Sequence, residues 1–294
     1  MSILSKFKSI DGFYSGNLKL FKDLKKIDKV EEISILGAGN SISKIPYIDN
    51  LPLFKLDSKK FIKIIDNNII YLSANVTCSE LHNFLIKNGL VFEPIPSYPN
   101  VTIGGCIANC VHGFNSKVGT IRDKILEINI YNGYEIITIN KKDNYELFNF
   151  TIGGMGKTGI IYSAKLLVNK ISYTHIKIKK STFYSLTEGY LKLKKSKSIY
   201  NQNNIFIDYS KKKLSFYGIC NQGTPLNSNK TISYVKNKKI PSMRLGILGN
   251  IFVLQLFNKF IFLTSKFALF NKLSLSELLF PSNKRVNYFL LMPE

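Results

Sequence analysis

Three glycine-bearing stretches hold the residues most able to do chemistry. The longest runs from Ser97 to Gly113. Pro99 fixes the backbone entering it, Val101 and Ile103 give a short extended run, and the pair Gly104-Gly105 follows. Glycine tolerates φ > 0 and lets a backbone come close to a ligand. Ile107, Ala108 and Val111 then sit at a spacing that fits one turn of buried helix, and His112-Gly113 closes the stretch. Such an arrangement can turn successive N–H groups toward an anion or a polar ring edge. An ordinary strand-to-helix turn has the same outline, and this stretch alone does not separate the two.

The other two stretches add context. Upstream, the apolar run Ile33–Leu36 feeds Gly37-Ala38-Gly39-Asn40-Ser41, a strand ending in a tight loop whose amides and Ser41 hydroxyl suit a pyrophosphate. It is not the Gly-x-Gly-x-x-Gly fingerprint, because Ile42 stands where the third glycine would be, and no Gly-Lys-Ser/Thr follows to make a P-loop. Downstream, Gly153, Gly154, Gly156 and Gly159 fall within seven residues, just before the β-branched run that starts at Ile160.

Together these stretches resemble the FAD-binding domain of the vanillyl-alcohol-oxidase/PCMH-type flavoproteins, and within them the decaprenylphosphoryl-β-D-ribose oxidase group. The segments carrying the resemblance are Gly37–Ser41, Val101–Asn109 with Val111–Asn115, Val118–Thr120, Glu146–Phe148 and Ile152–Ile160. It is good over residues 30–170 and poor beyond. It implies an α+β fold: a two-lobed PCMH-type FAD-binding domain over residues 1–170, with FAD extended between the lobes. An incomplete α+β substrate domain would follow over 171–294.

By resemblance, Gly37, Ala38, Gly39, Asn40 and Ser41 hold the FAD pyrophosphate. Thr102, Gly104, Gly105, Asn109 and Gly113 line the flavin, and Gly156, Gly159 and Ile160 meet its ribityl or adenosine end. In several relatives a histidine precedes the loop serine and bonds covalently to the flavin. Asn40 occupies that position, which implies non-covalent FAD. His112 matches the histidine beside the isoalloxazine, where it would hydrogen-bond substrate or stabilise developing charge, making it the catalytic candidate. His82 and His175 lack such surroundings and are read as structural or exposed.

Two departures from the family pattern stand out. After the first loop the family continues with tyrosine, glycine and aspartate, and that tyrosine reaches the active site. Here the residues are Ile42, Ser43 and Lys44, and Tyr47 is at the wrong spacing to substitute. Family members are also longer, with a catalytic lysine in their C-terminal half. The expected reaction is oxidation of a secondary sugar alcohol, with hydride passing to flavin N5. A polyprenyl-phosphoryl sugar is the implied substrate and a short-chain reductase the implied partner. A sugar-lactone oxidase, and a catalytically incomplete flavin-binding fragment or half of a split enzyme, are the alternatives.

Composition bounds the rest. The 294 residues, 45% hydrophobic, can bury one large or two modest cores. The net charge is +22, but only Arg122, Arg244 and Arg285 are arginines among 41 basic residues. Reading of phosphate or base edges favours arginine's bidentate fork, so this charge reads as a solvated lysine surface rather than a nucleic-acid site. Weak attraction to anionic membranes is compatible with it. Cys78, Cys106, Cys110 and Cys220 show no C-x-x-C pair and no zinc spacing, so no metal and reduced thiols are expected. With no apolar stretch near Met1, a cytoplasmic protein is expected, with possible contact at the inner face of the plasma membrane.

The elements that must position these residues follow from pattern. Strands are expected at Ile33–Leu36, Leu51–Leu56, Ile69–Ser73, Ile160–Val168, Thr174–Lys180 and Leu214–Ile219. Asn132-Gly133 signals a hairpin between Ile125–Tyr131 and Tyr134–Ile139. Short helices are expected at Leu18–Ile27, as helix or turn at Lys59–Asp66, and at Tyr145–Phe150. A further helix is capped by Thr77 or Ser79 and stopped by Gly89. The lysine-rich 191–197 run reads as a solvated helix face. The apolar segment 245–273 reads as a core or lid helix, or as an interfacial one. Its uncharged run Leu245–Asn258 is too short to span a bilayer.

Overall fold

The computed structural model describes residues 3–8, 15–21, 33–41, 51, 53–115, 117–196, 202–207, 218–227, 232, 234, 235, 252, 255, 256, 259, 260 and 270–280. The chain forms two compact units: Met1–His112 with Gly119–Ile171 and Val235–Ser242, and Gly113–Val118 with Ser172–Tyr234 and Met243–Glu294.

The first unit contains two sheets. One has four strands in the order β1 (Ile3–Lys8), β2 (Ser15–Phe21), β4 (Leu53–Leu56), β3 (Ser34–Ile35). β1 and β2 pair antiparallel, while β2 and β3 both run parallel to β4. The helix expected over Leu18–Ile27 is therefore a strand as far as Phe21, and residues 22–27 lie outside the described residues. Leu18 and Leu20 repeat with period two, and β2 lies hydrogen-bonded between β1 and β4.

The other sheet is antiparallel, in the order β5 (Ile62–Asp66), β6 (Ile69–Ser73), β10 (Ile160–Leu167), β8 (Ile125–Tyr131), β9 (Ile136–Asn140). β5 replaces the helix or turn expected over Lys59–Asp66. Its partner β6 is a strong strand only three residues away, and the Ile-Ile pair suits a pleated edge. One face of this sheet buries Ile70, Leu72, Ile128, Ile130, Ala164 and Leu166. Its other face carries a polar net in which Asn129 Nδ2 donates to Ser163 Oγ at 2.8 Å and Thr138 Oγ1 donates to Asn129 Oδ1 at 2.7 Å. The hairpin turns at Gly133 with φ 102°.

Helix α1 (Cys78–Lys87) starts with a full capping box: the Thr77 side chain accepts from the Glu80 N–H, and the Glu80 carboxylate accepts from the Thr77 N–H. Leu81, His82 and Leu85 are buried from it, and Gly89 at φ 67° ends it. A two-stranded ribbon, β7 (Leu90–Val91) with β11 (Asn169–Lys170), follows. Asn83 holds Val235 through two bonds, Nδ2 to the Val235 carbonyl at 2.8 Å and the Val235 N–H to Oδ1 at 2.9 Å.

The second unit is built on an antiparallel sheet in the order β13 (Gln202–Ile207), β14 (Gly218–Leu226), β12 (His175–Phe183), β15 (Phe270–Ser274). The strand expected at Leu214–Ile219 is β14, displaced toward the C-terminus; residues 214–217 lie outside the described residues. Helix α4 (Leu186–Ser196) carries the expected lysine-rich face, and Phe183 packs under Gly189, where a Cβ would meet its ring at 2.7 Å. Of the apolar segment 245–273, Phe252, Gln255, Leu256, Lys259 and Phe260 are helical, with Phe252, Leu256 and Phe260 exposed, and its last four residues belong to strand β15. The rest of that segment lies outside the described residues. No helix among the described residues is long and apolar enough to cross a membrane.

A cradle made from three glycine stretches

Strand β3 delivers the first stretch. The Leu36 N–H donates to the Phe54 carbonyl at 2.8 Å, the last rung before the chain leaves the sheet at Gly37. From there the N–H groups of Gly37, Ala38, Gly39 and Asn40 meet no acceptor among the described residues. Asn40 Nδ2 is buried and has no hydrogen-bond partner. Gly39 has φ 74°, and a Cβ on Gly37 would stand 2.8 Å from Thr102 Oγ1 and 3.9 Å from Gly105 Cα. The first stretch therefore lies directly on the second. Ser41 follows, half-buried; Ile42, Ser43, Lys44 and Tyr47 lie outside the described residues.

The second stretch differs from its sequence reading. Helix α2 (Ile103–Ala108) begins before the glycine pair, and neither Gly104 nor Gly105 has positive φ. Its first amides are all engaged within the protein. The Ile103 N–H donates to the Val76 carbonyl at 2.8 Å, Gly104 to the Ala74 carbonyl at 2.8 Å, Gly105 to Thr102 Oγ1 at 3.3 Å, and Cys106 to the Thr102 carbonyl at 2.9 Å. The expected convergence of N–H groups on an anion does not occur here. These glycines serve close approach instead: a Cβ on Gly104 would stand 3.0 Å from Ala74 Cβ. The amides of Gly104 and Gly105 are thus engaged within the protein, and the Thr102 side chain caps α2. Asn109, exposed, is spent on the helix end, its N–H and Nδ2 both reaching the Gly105 carbonyl at 3.1 and 2.9 Å.

The third stretch follows helix α3 (Tyr145–Thr151) and closes over the far end of α2. The Gly153 N–H donates to the Ile107 carbonyl and the Met155 N–H to the Ala108 carbonyl, both at 3.0 Å, which satisfies carbonyls that a helix end leaves open. Gly153, Gly156 and Gly159 all have positive φ, as does Met155. Gly156 abuts Ile35 of β3, where a Cβ would stand 3.1 Å from Ile35 Cδ1. Gly159 is pressed against the Tyr131 carbonyl, and its N–H turns back to the Gly156 carbonyl. Ile160 is a core side chain packed with Phe54 and Tyr131. Stretch one thus touches stretch two through Gly37, and stretch three touches both α2 and the strand beneath stretch one.

His112 is exposed at the exit of α2 and pairs with Thr120 in an isolated antiparallel bridge. Gly113 opens the segment that belongs to the second unit. His82 is 1% exposed, and burial pushes its imidazole down to about 4. His175 is also buried, its Nδ1 3.0 Å from Thr174 Oγ1. Cys78 and Cys106 lie buried with their sulfurs 3.5 Å apart; burial, and then the Cys78 thiol, push the Cys106 thiol well up. No metal-binding cluster occurs among the described residues.

One contributor escaped the sequence reading. Arg122, in a 3-10 turn over Ile121–Lys124, reaches Asn149 and Ile152 at the end of α3. Its signal was rarity, an arginine in a chain that otherwise uses lysine.

A pyrophosphate needs N–H donors that no protein acceptor has taken, and the first stretch has them. It offers four amides in a row, a buried side-chain donor with no protein partner, and a floor where Cβ atoms do not fit. The residues fit FAD.

Comparison with known proteins agrees. Residues 27–134 match the family described as FAD binding domain. Over 179 residues the chain is 23% identical to D-arabinono-1,4-lactone oxidase of Candida glabrata, covering 55% of this chain and 34% of that one. Over 146 residues it is 28% identical to cytokinin dehydrogenase 3 of Oryza sativa subsp. japonica, covering 47% and 28%. L-gulonolactone oxidase of Bos taurus is 23% identical over 139 residues, covering 46% and 31%. The chain spans about a third of the length of these relatives. Residues 27–134 are thus similar to an FAD-binding domain, and the cofactor this match indicates is FAD.

Proposed function

We propose that the chain acts in an FAD-dependent oxidoreductase that oxidises a CH–OH carbon of a sugar-class substrate. The observation that carries this reading is the first stretch, whose consecutive free amides and buried Asn40 donor meet the demands of a dinucleotide pyrophosphate. When bound, FAD would supply the two-electron acceptor, with N5 receiving the hydride. The protein's part is to hold and orient. Gly37–Ser41 bind the pyrophosphate, and α2 presents a side-chain-poor surface at Gly104 and Gly105. His112, exposed at the exit of α2, would bond the substrate hydroxyl or take its proton. Asn40 has no nucleophilic atom for a bond to the flavin, so retention is non-covalent.

A sugar lactone is the second reading of the substrate, supported by the names of two relatives, a D-arabinono-1,4-lactone oxidase and an L-gulonolactone oxidase. The visible spectrum before and after acid precipitation tests the cofactor. A flavin band that moves to the supernatant is expected, and a colourless chain that also takes up no added FAD would refute the reading. Anaerobic addition of secondary sugar alcohols and of sugar lactones then separates the substrates, by which of them bleaches that band.

A further inference from the structure

Arg122 is half-buried in a turn that is itself tied down at Thr120, Ile121 and Asp123. The Thr120 N–H and hydroxyl both donate to Asp123 Oδ2, at 2.8 and 3.2 Å, and the Thr120 N–H holds the Asp123 carboxyl below its usual range. The Ile121 N–H donates to the Val111 carbonyl at 2.9 Å, which anchors the turn to the segment leaving α2. From this base the guanidinium reaches out as a fork. Nη1 donates to Asn149 Oδ1 at 2.9 Å and to the Asn149 carbonyl at 3.3 Å, while Nη2 donates to the Ile152 carbonyl at 2.6 Å.

These acceptors lie at the carbonyl end of α3, where a cation is favoured by the helix dipole and where the open carbonyls need donors. A lysine would satisfy the charge. The planar fork adds a fixed geometry, with Nη1 and Nη2 each directed to its own acceptor residue, which a rotating ammonium on a flexible stem does not impose. The chain uses lysine for 38 of its 41 basic positions, and arginine stands here.

Ile152 is the residue from which the third glycine stretch departs. The stretch is held from one side by Ile107 and Ala108 of α2, and it rests through Gly156 on Ile35, two residues before Gly37. We infer that Arg122 is a positioning residue for FAD: by clamping Asn149 and Ile152 it fixes the third glycine stretch, and so the strand end that sets the pyrophosphate loop. This rests on the assignment of FAD to the cradle.

The test is FAD titration of the full chain and its variants by flavin fluorescence, alongside thermal unfolding of the FAD-free proteins. Arg122→Lys keeps the charge and loses the fork; it is expected to raise the FAD dissociation constant about tenfold, a change worth about 1.4 kcal/mol, with a much smaller proportional effect on FAD-free stability. Asn149→Ala leaves the bond to Ile152 and is expected to raise it about threefold; it carries the test if Arg122→Lys does not fold. Wild-type affinity in a folded Arg122→Lys protein, or full rescue of an Arg122→Gln loss by lysine, would overturn the positioning role while leaving the cofactor reading intact. A wild-type chain that takes up no FAD would overturn both.

Discussion

Asn40→Leu should make the FAD-free protein more stable and the FAD complex weaker, two effects of opposite sign from one side chain. Asn40 Nδ2 is buried without a partner. Leaving a buried donor unsatisfied costs about 1–3 kcal/mol, and an apolar side chain of similar volume removes that cost. Part of it returns through altered packing, so a gain of about 1 kcal/mol in the FAD-free state is expected. Under the proposed assignment the same donor would meet an anionic phosphate oxygen in the complex. A hydrogen bond to a charged group contributes about 1.5–3 kcal/mol, which corresponds to a loss of about tenfold to a hundredfold in affinity.

Urea unfolding of the FAD-free proteins reads the first effect and flavin-fluorescence titration the second. An ordinary structural asparagine behaves in the opposite way: its loss destabilises the free protein and leaves cofactor affinity alone. That pattern would refute the assignment of Asn40 to the ligand. A variant neutral in both assays would refute it too, because a donor shielded from water and facing an anion cannot be neutral in both.

Other outcomes follow from burial and backbone geometry. His82 is neutral in the fold, with its pKa pushed down to about 4 from 6.5, so the unfolded chain takes up the proton first as pH falls. Its contribution is intact above about pH 6.5 and is lost progressively toward about pH 4, to a total of about 3 kcal/mol. Urea midpoints measured along that range should fall more steeply for wild type than for His82→Gln; parallel profiles would show that this imidazole is not the group responsible. Gly104→Ala should cost about 1–3 kcal/mol, since its Cβ would crowd Ala74 Cβ at 3.0 Å and the Ala74 carbonyl oxygen at 3.3 Å. Gly133→Ala, with nothing within 4 Å but φ 102°, should cost only about 1 kcal/mol of backbone strain. A Gly104→Ala variant with the wild-type melting temperature would remove the packing argument.

Local signals were legible where they are complete within a few residues. Thr77 marks the cap of α1, Asn132-Gly133 spells a hairpin, and the first and third glycine stretches follow the end of a strand and of a helix. β2 and β5 were not legible as strands, because lysines and short apolar runs fit a helical face as well as a pleat. Their state is decided by β4 and β6, the neighbours they pair with. The state of the α2 amides was hidden for a related reason. Their acceptors, the Ala74 and Val76 carbonyls, arrive from a segment about thirty residues earlier, and spacing within Ser97–Gly113 carries no trace of them. The partners of Arg122 lie as far away in the other direction.

The three glycine stretches use the same residue for three different physical ends, and this divides the labour of the cradle. In the first, glycine leaves N–H groups open and the backbone uncovered. In the second, it removes a Cβ so that α2 can press against Ala74 while its amides bond to protein. In the third, it supplies positive φ at Gly153, Gly156 and Gly159, so that a loop can cap α2 and turn beneath Ile35. The first has four consecutive N–H groups, Gly37 to Asn40, that meet no acceptor among the described residues. Under the proposed assignment, substitutions at Gly37–Ser41 would act on pyrophosphate binding directly, whereas those in the third stretch would act through stability and position. Arg122 belongs with the third, since everything it holds lies on the path from α3 to the strand end that presents Gly37.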